Sequence, residues 1–169
     1  SGRNQLTPLA RELTARGIPV EVAGDELALG SQRAVETLLA GLTGAANLEH
    51  LGNEAVTQLL ASPLCELDAV GQRALIRSLL ATGDPDFRDL LGKCLSRPEL
   101  LEAFPGPEAE RVRALGLLLG RAAGKLTRGA PVAEVLWTIW NGTGWPDRLR
   151  EAALAGSRGA NQDLDAVVE

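Results

Sequence analysis

The sequence predicts a mostly α-helical protein with one short strand near its N-terminus, and three observations support this fold class. Leu, Val and Ala supply most apolar residues, and aromatic residues make up only 3% of the 169 positions. Leu and Ala are strong helix formers. From residue 31 onward, apolar residues recur every three or four positions, which is the helical period. Only IPVEVAG, residues 18–24, alternates apolar and polar residues as a short strand does.

Residues 1–30 form the first predicted unit, a short helix followed by that strand. Thr7 and Pro8 together are typical of a helix start, because threonine caps the helix and proline suits its first position. The apolar positions of the strand are Ile18, Val20 and Val22.

Residues 31–169 form the second unit, which is predicted to be entirely helical. Ser31, Asn53 and Asp68 are predicted N-caps of its first three helices, and Asp84 before Pro85 starts a fourth. The apolar residues at helical spacing in these four helices are Val35, Leu38, Leu39, Leu42, Val56, Leu59, Leu60, Leu75, Ile76, Leu79, Leu80, Phe87, Leu90 and Leu91.

The remaining helices follow a loop rich in proline and glycine, FPGPE. The longest is predicted over residues 107–127, the next over 132–140, and another begins at Trp145. Residues 160–169 are predicted to start a further helix. Trp137, Trp140 and Trp145 are the largest apolar side chains of an aromatic-poor chain, so we expect them in the core.

Composition excludes several classes of function. Cys65 and Cys94 stand far apart without metal-ligand spacing, and His50 is the only histidine, so the sequence predicts no metal site and no catalytic residue. The sequence contains neither a secretory signal nor an apolar run of about 18 residues, which leads us to expect a cytoplasmic protein with no membrane partner.

A net charge of −5 disfavours a free-standing nucleic-acid binder. Because Met is absent even from position 1, we expect a piece of a larger protein.

The stretch GLLLGRAAGKLT, residues 116–127, invites comparison with a phosphate-binding loop. Such a loop needs four residues between its glycines and a Ser or Thr directly after the lysine. Here three residues separate Gly120 from Gly124, and Leu126 follows Lys125. The leucines before Gly120 have helical spacing, so these residues are predicted to be helical and to bind no ATP or other cofactor.

A basic stripe on the same predicted helix is the candidate DNA contact. Arg121, Lys125 and Arg128 lie four and three residues apart, so they share one helix face without an intervening acid. Such a face can neutralise DNA phosphates. The alternative is an ordinary solvated surface.

The N-terminal stretch, from Gly2 to Leu42, resembles UvrD/Rep-type superfamily 1 DNA helicases. In that family, a motif containing N-x-Q-S-R precedes a helix, a strand with the pattern gIPy-x-v-x-G, and a helix that opens the accessory 2B domain. Gln5 falls on the family's glutamine, and Ile18, Pro19 and Gly24 fall on the strand pattern. Thr7 stands where the family has arginine.

Later stretches resemble the actinobacterial branch of that family, which includes the AdnA/AdnB helicase–nucleases and their RecB-like relatives. The matching stretches occur in the same order as in that branch. They are VAGDELAL at 22–29, SPLCELD at 62–68, LWTIW at 136–140 and DLDAV at 163–167.

The resemblance implies a non-catalytic accessory domain of an ATP-dependent DNA helicase in DNA repair or recombination. Residues 1–30 would then be the edge of the RecA-like motor domain 2A, and residues 31–169 a helical 2B-like domain. ATP and Mg²⁺ would be bound elsewhere in the parent protein. The implied partners are DNA, the motor domains of the same chain and a second helicase–nuclease subunit. The alternatives are a free-standing α-helical protein-interaction module and a small enzyme of another kind.

Overall fold

The computed structural model describes residues 33–83 and 89–157, together with residues 160, 163–165 and 167. Everything with defined secondary structure in this part of the chain is helical, which confirms the mostly α-helical class. The predicted unit 1–30 with its strand, the Ser31 cap, and the Asp84–Pro85 start with Phe87 lie outside the described residues, as does Gln5.

Seven α-helices and two short 3₁₀ turns have defined bounds in the described part. The helices are α1 (Arg33–Ala46), α2 (Asn53–Ala61), α3 (Ala69–Leu80), α4 (Leu90–Ser96), α5 (Pro107–Thr127), α6 (Val132–Asn141) and α7 (Trp145–Leu154). The 3₁₀ turns are Leu48–His50 and Pro98–Leu101. Beyond α7, residues 160, 163–165 and 167 are also helical, which agrees with the predicted start of a further helix.

Helix α5 is the centre of the fold, and α1, α3, α4 and α6 all pack on it. Its fully buried residues recur at helical spacing, as the sequence predicted, and include Val112, Leu115, Leu119 and Ala122. Gly116 lies on the same helix where the backbone of α4 approaches it. A methyl group there would stand 2.7 Å from the Leu95 carbonyl oxygen, so only glycine permits this close contact.

The start of α3 follows the sequence prediction. The Asp68 carboxylate accepts a hydrogen bond of 2.8 Å from the Gly71 backbone N–H, which satisfies one of the free donors at the helix N-terminus. Next to it, the buried Gln72 side chain donates to the backbone carbonyls of Leu67 and Thr57, at 2.9 and 3.2 Å. These bonds join α2 to α3 through a buried amide group.

The predicted Asn53 cap is wrong by one residue. The Val56 N–H donates to the Gly52 carbonyl at 3.0 Å, so the helix already begins there and Gly52 occupies the cap position. Asn53 is therefore the first helical residue.

The expectation that all three tryptophans lie in the core is wrong for Trp137. Trp140 and Trp145 are only 3% and 4% exposed, whereas Trp137 is 45% exposed. The buried face of α6 is defined by Val135 and Ile139. Trp137 lies two residues from each, roughly 200° around the helix, so it faces solvent when they face the core.

Candidate nucleic-acid interface

The predicted basic residues all lie on the last two turns of α5 or at its end. Arg121 and Arg128 are exposed, and Lys125 is about one-third exposed. Arg128 follows the last helical residue, and its guanidinium lies over Gly124, where a methyl group would come within 3.4 Å of Arg128 Nη1. The helix therefore presents two exposed guanidinium groups on one side.

No acid lies within the stripe itself, but an acid from the next helix meets it at Lys125. The Lys125 Nζ forms an ion pair of 2.5 Å with the Glu134 carboxylate of α6. Residues 128–131 turn the chain back, so α6 returns beside α5 and brings this acid to the stripe. Lys125 thus already has an acidic partner, whereas no ion pair of Arg121 or Arg128 is found among the residues that the structure describes.

Two contacts show that α6 runs antiparallel to α5. Glu134 meets Lys125 at one end, and Gly142 packs against the Leu118 side chain at the other, where a methyl group would come within 2.2 Å of Leu118 Cδ1. Arg121 lies on α5 between these two contacts. Leu117, Arg121 and Arg128 of the α5 side and Trp137 of α6 are all exposed, and we name these four residues the α5/α6 surface.

The α5/α6 surface combines positive charge with exposed apolar groups. Trp137 is 45% exposed and Leu117 is 44% exposed, one on each helix. An exposed indole offers a flat face on which a nucleic-acid base can stack, and arginines can neutralise the adjoining phosphates. This is the combination of groups that binds single strands without sequence preference.

Residues 116–127 lie inside α5 and do not form a phosphate-binding loop. The backbone N–H groups that such a loop would present to phosphates are instead part of a continuous helix. Lys125, which would be the lysine of that loop, is held by Glu134. We therefore expect these residues to bind ATP no more tightly than about 1 mM.

The two cysteines are free and buried. Burial raises the pKa of the Cys65 thiol from its ordinary value of 9.0 to about 11, although the nearby Arg111 acts in the opposite direction. Burial likewise raises the pKa of Cys94 to about 11. Both thiols therefore remain protonated at neutral pH, which is unsuitable for a nucleophile.

His50 lies exposed in the first 3₁₀ turn, away from both cysteines in sequence. Among the residues that the structure describes, no group of three or more His, Cys, Asp or Glu side chains could hold a metal ion. In the same residues, no helix is both long and apolar enough to cross a membrane.

A second feature, which the sequence analysis missed, is a cleft lined by Arg111 and Arg148. Both side chains reach the turn between α2 and α3: Arg111 bonds the Glu66 backbone carbonyl, and Arg148 pairs with the Glu66 carboxylate. Arg111 and Arg148 lie 45 and 82 positions after Glu66 in the sequence, so no short-range spacing predicts these contacts. The only local signal is the isolated Glu66 in a turn.

Comparison with known proteins identifies no relative: neither a family model, nor a curated protein, nor a solved structure matches this chain.

Proposed function

We propose that this chain is a non-catalytic accessory region of an ATP-dependent DNA helicase, and that it contacts DNA through the α5/α6 surface. The observation that carries the proposal is the exposure of Trp137 on the helix beside Arg121 and Arg128. The order of the stretches that resemble UvrD/Rep-type helicases supports the family assignment. In this proposal, residues 31–169 are the 2B-like domain and residues 1–30 are the edge of motor domain 2A.

The proposed surface would steer DNA and would not hold it tightly. The chain as a whole carries a charge of −5, and Lys125 is already paired with Glu134. Two guanidinium groups and one indole therefore supply a small attraction, with the arginines on phosphates and Trp137 on a base. The motor domains of the parent protein would bind ATP, Mg²⁺ and most of the DNA. We propose that the parent acts in the cytoplasm and that a second helicase–nuclease subunit is a further partner.

The alternative is a free-standing protein-interaction module. Exposed Trp137 and Leu117 support it, because exposed aromatic and aliphatic side chains are also the anchors of protein interfaces. The two functions differ in their dependence on salt. DNA binding through phosphates weakens steeply as salt is added, whereas an apolar protein contact changes little.

The test measures fluorescence anisotropy of a labelled single-stranded oligonucleotide titrated with the 169-residue chain at several salt concentrations. We expect the paired variant Arg121→Glu/Arg128→Glu to weaken binding about tenfold. It should also lower the slope of log K against log salt by about 1.4, since each single-strand phosphate contact contributes about 0.7.

The matched control is Arg73→Glu/Arg77→Glu, which makes the same charge change on two exposed arginines of α3. This control should leave the slope unchanged. Equal weakening by both variants would show that only the net charge matters and would contradict the α5/α6 surface as the binding site. No binding by the unaltered chain, even at low salt, would favour the protein-interaction module.

In the parent helicase, reversing Arg121 and Arg128 should slow unwinding more than it slows DNA-stimulated ATP hydrolysis, because the motor domains retain their own DNA contacts. Equal loss of both activities would instead assign these residues a role in folding or in the motor.

A further inference from the structure

The cleft that holds Arg111 and Arg148 lies between the turn after α2, the side of α5 and the loop that joins α6 to α7. Its volume is about 390 Å³. Its walls carry three charged side chains, two arginines and one glutamate, together with a threonine hydroxyl and two glycines. The residues that supply these groups are Glu66, Arg111, Gly142, Thr143, Gly144 and Arg148.

Both guanidinium groups are anchored on the same short turn. Arg111 Nη1 donates to the Glu66 backbone carbonyl at 2.9 Å. Arg148 Nη2 donates to the Pro63 carbonyl at 2.8 Å, and its Nε lies 3.1 Å from the Glu66 carboxylate. Two arginines from two helices therefore converge on one residue, and the backbone carbonyls of Glu66 and Pro63 position them independently of the Glu66 carboxylate.

The backbone around the cleft is held in an unusual conformation. Glu66 has a φ of 55°, in the left-handed region that residues other than glycine rarely adopt. Such a conformation persists where surrounding contacts maintain it, and here the backbone bonds of Glu66 to Arg111 and to the Ser62 carbonyl provide those contacts. On the opposite wall, a methyl group at Gly144 would stand 3.0 Å from Arg148 Nη1, so glycine leaves room for the guanidinium.

The charges of the cleft favour an anion. Arg111 and Arg148 together carry two positive charges against the single carboxylate of Glu66. Each guanidinium has five N–H groups, and the described residues use only one of Arg111 and two of Arg148. Donors in a planar fork match the oxygens of a phosphate group, which they can bind in pairs.

We infer that this cleft is a second DNA contact, in which a backbone phosphate binds Arg111 and Arg148 and displaces the Glu66 carboxylate from Arg148. This inference rests on the proposed function, because the cleft would bind another phosphate of the same DNA strand that contacts the α5/α6 surface. Arg111 and Arg121 lie on α5, ten residues or roughly 15 Å apart along the helix axis. They are separated by roughly 80° around that axis, so a short oligonucleotide can reach both.

The sharpest test uses the competition between phosphate and Glu66. Glu66→Gln removes the competing charge, and we expect it to raise the affinity for the labelled single strand about fivefold. The matched control is Glu102→Gln, which makes the same charge change at an exposed acid that pairs with Arg113 elsewhere on α5. This control should raise the affinity by less than about twofold, the general effect of one fewer negative charge.

A second pair of variants tests the arginine directly. Arg148→Gln should lower the slope of log K against log salt by about 0.7, the contribution of one single-strand phosphate contact. Arg150→Gln is its control, because Arg150 lies exposed on the same helix and pairs with Asp147, away from the cleft. Thermal unfolding followed by circular dichroism checks that every variant used in the comparison is folded.

The outcomes separate this inference from the proposed function. Equal effects of Glu66→Gln and Glu102→Gln, with an unchanged slope in Arg148→Gln, would overturn the cleft while the α5/α6 surface stands. The opposite result, in which the cleft variants act and Arg121→Glu/Arg128→Glu does not, would retain the cleft and remove that surface. No DNA binding by the unaltered chain would overturn both.

Discussion

The indole rings of Trp140 and Trp145 meet edge to face, with their centroids 5.0 Å apart and their planes at 66°. Trp140 is on the last turn of α6 and Trp145 is the first residue of α7, so the contact closes the short loop between these helices. The geometry places the positive edge of one ring on the negative face of the other, which stabilises the pair beyond the burial of its area. This pair fixes the loop that forms one wall of the Arg111–Arg148 cleft.

Loss of this pair should cost much more stability than loss of the exposed tryptophan. We expect Trp140→Ala to lower the free energy of unfolding by about 3–5 kcal/mol, because it leaves a cavity and removes the ring contact. Trp137→Ala, the control on the same helix, should lower it by less than about 1 kcal/mol, since a surface side chain loses little burial. Urea unfolding measures both values. Similar losses in the two variants would contradict the assignment of Trp140 to the core and of Trp137 to the surface.

Adding a methyl group at two glycines of α5 should change the stability of the fold in opposite directions. At Gly116 the methyl would stand 2.7 Å from the Leu95 carbonyl oxygen and 2.9 Å from Pro98 Cγ. Gly116→Ala should therefore destabilise the fold by about 1–3 kcal/mol through overpacking. At Gly120 nothing lies within 4 Å, so Gly120→Ala should stabilise it by about 0.5–1 kcal/mol by favouring the helix. Thermal or urea unfolding would show the difference, and destabilisation by both variants would contradict it.

The fluorescence of Trp137 should report DNA binding. Because Trp140 and Trp145 are buried, a base that stacks on the protein can reach only Trp137 among the three. We expect a single-stranded oligonucleotide to quench part of the emission of the unaltered chain, and Trp137→Phe to remove that quenching. Trp137→Ala should weaken binding by about 1–3 kcal/mol, the range for loss of one stacked base. Quenching that persists in Trp137→Phe would place the bound strand elsewhere.

The buried cysteines should make stability fall in alkaline solution. The unfolded chain loses its thiol protons near the ordinary pKa of 9.0, whereas Cys65 and Cys94 keep theirs up to a pKa of about 11. Between these values the unfolded state binds fewer protons, so its population rises with pH. The thiol contribution is fully present below pH 9 and is lost as the pH rises through 11.

The measurement for this prediction compares the unaltered chain with Cys65→Ala/Cys94→Ala by urea unfolding from pH 8 to pH 11. The variant should show a shallower decline in unfolding free energy, whatever its stability at pH 8. Parallel declines would show that groups other than the two thiols cause the whole effect.

Local sequence patterns are enough to predict the helical class and the position of most helices that the structure describes. The start of α5 at Pro107 and its end at Thr127 agree with the sequence prediction, because proline, glycine and leucine periodicity act within one or two turns of the chain. The Asp68 cap was predicted for the same reason, since its acceptor and the Gly71 donor are three residues apart. The Asn53 cap was misplaced because Gly52 beside it also suits a helix start.

Which side chains are free to bind depends on contacts between helices that are distant in the sequence. The ion pair between Lys125 and Glu134 depends on how closely α6 returns beside α5, and the exposure of Trp137 depends on which side of α6 meets the core. The contacts of Glu66 with Arg111 and Arg148 join residues 45 and 82 positions apart. Local residue preferences determine which residues share a helix face. Packing between distant segments determines which other helix that face contacts. The burial of each side chain and its ion pairs follow from that contact.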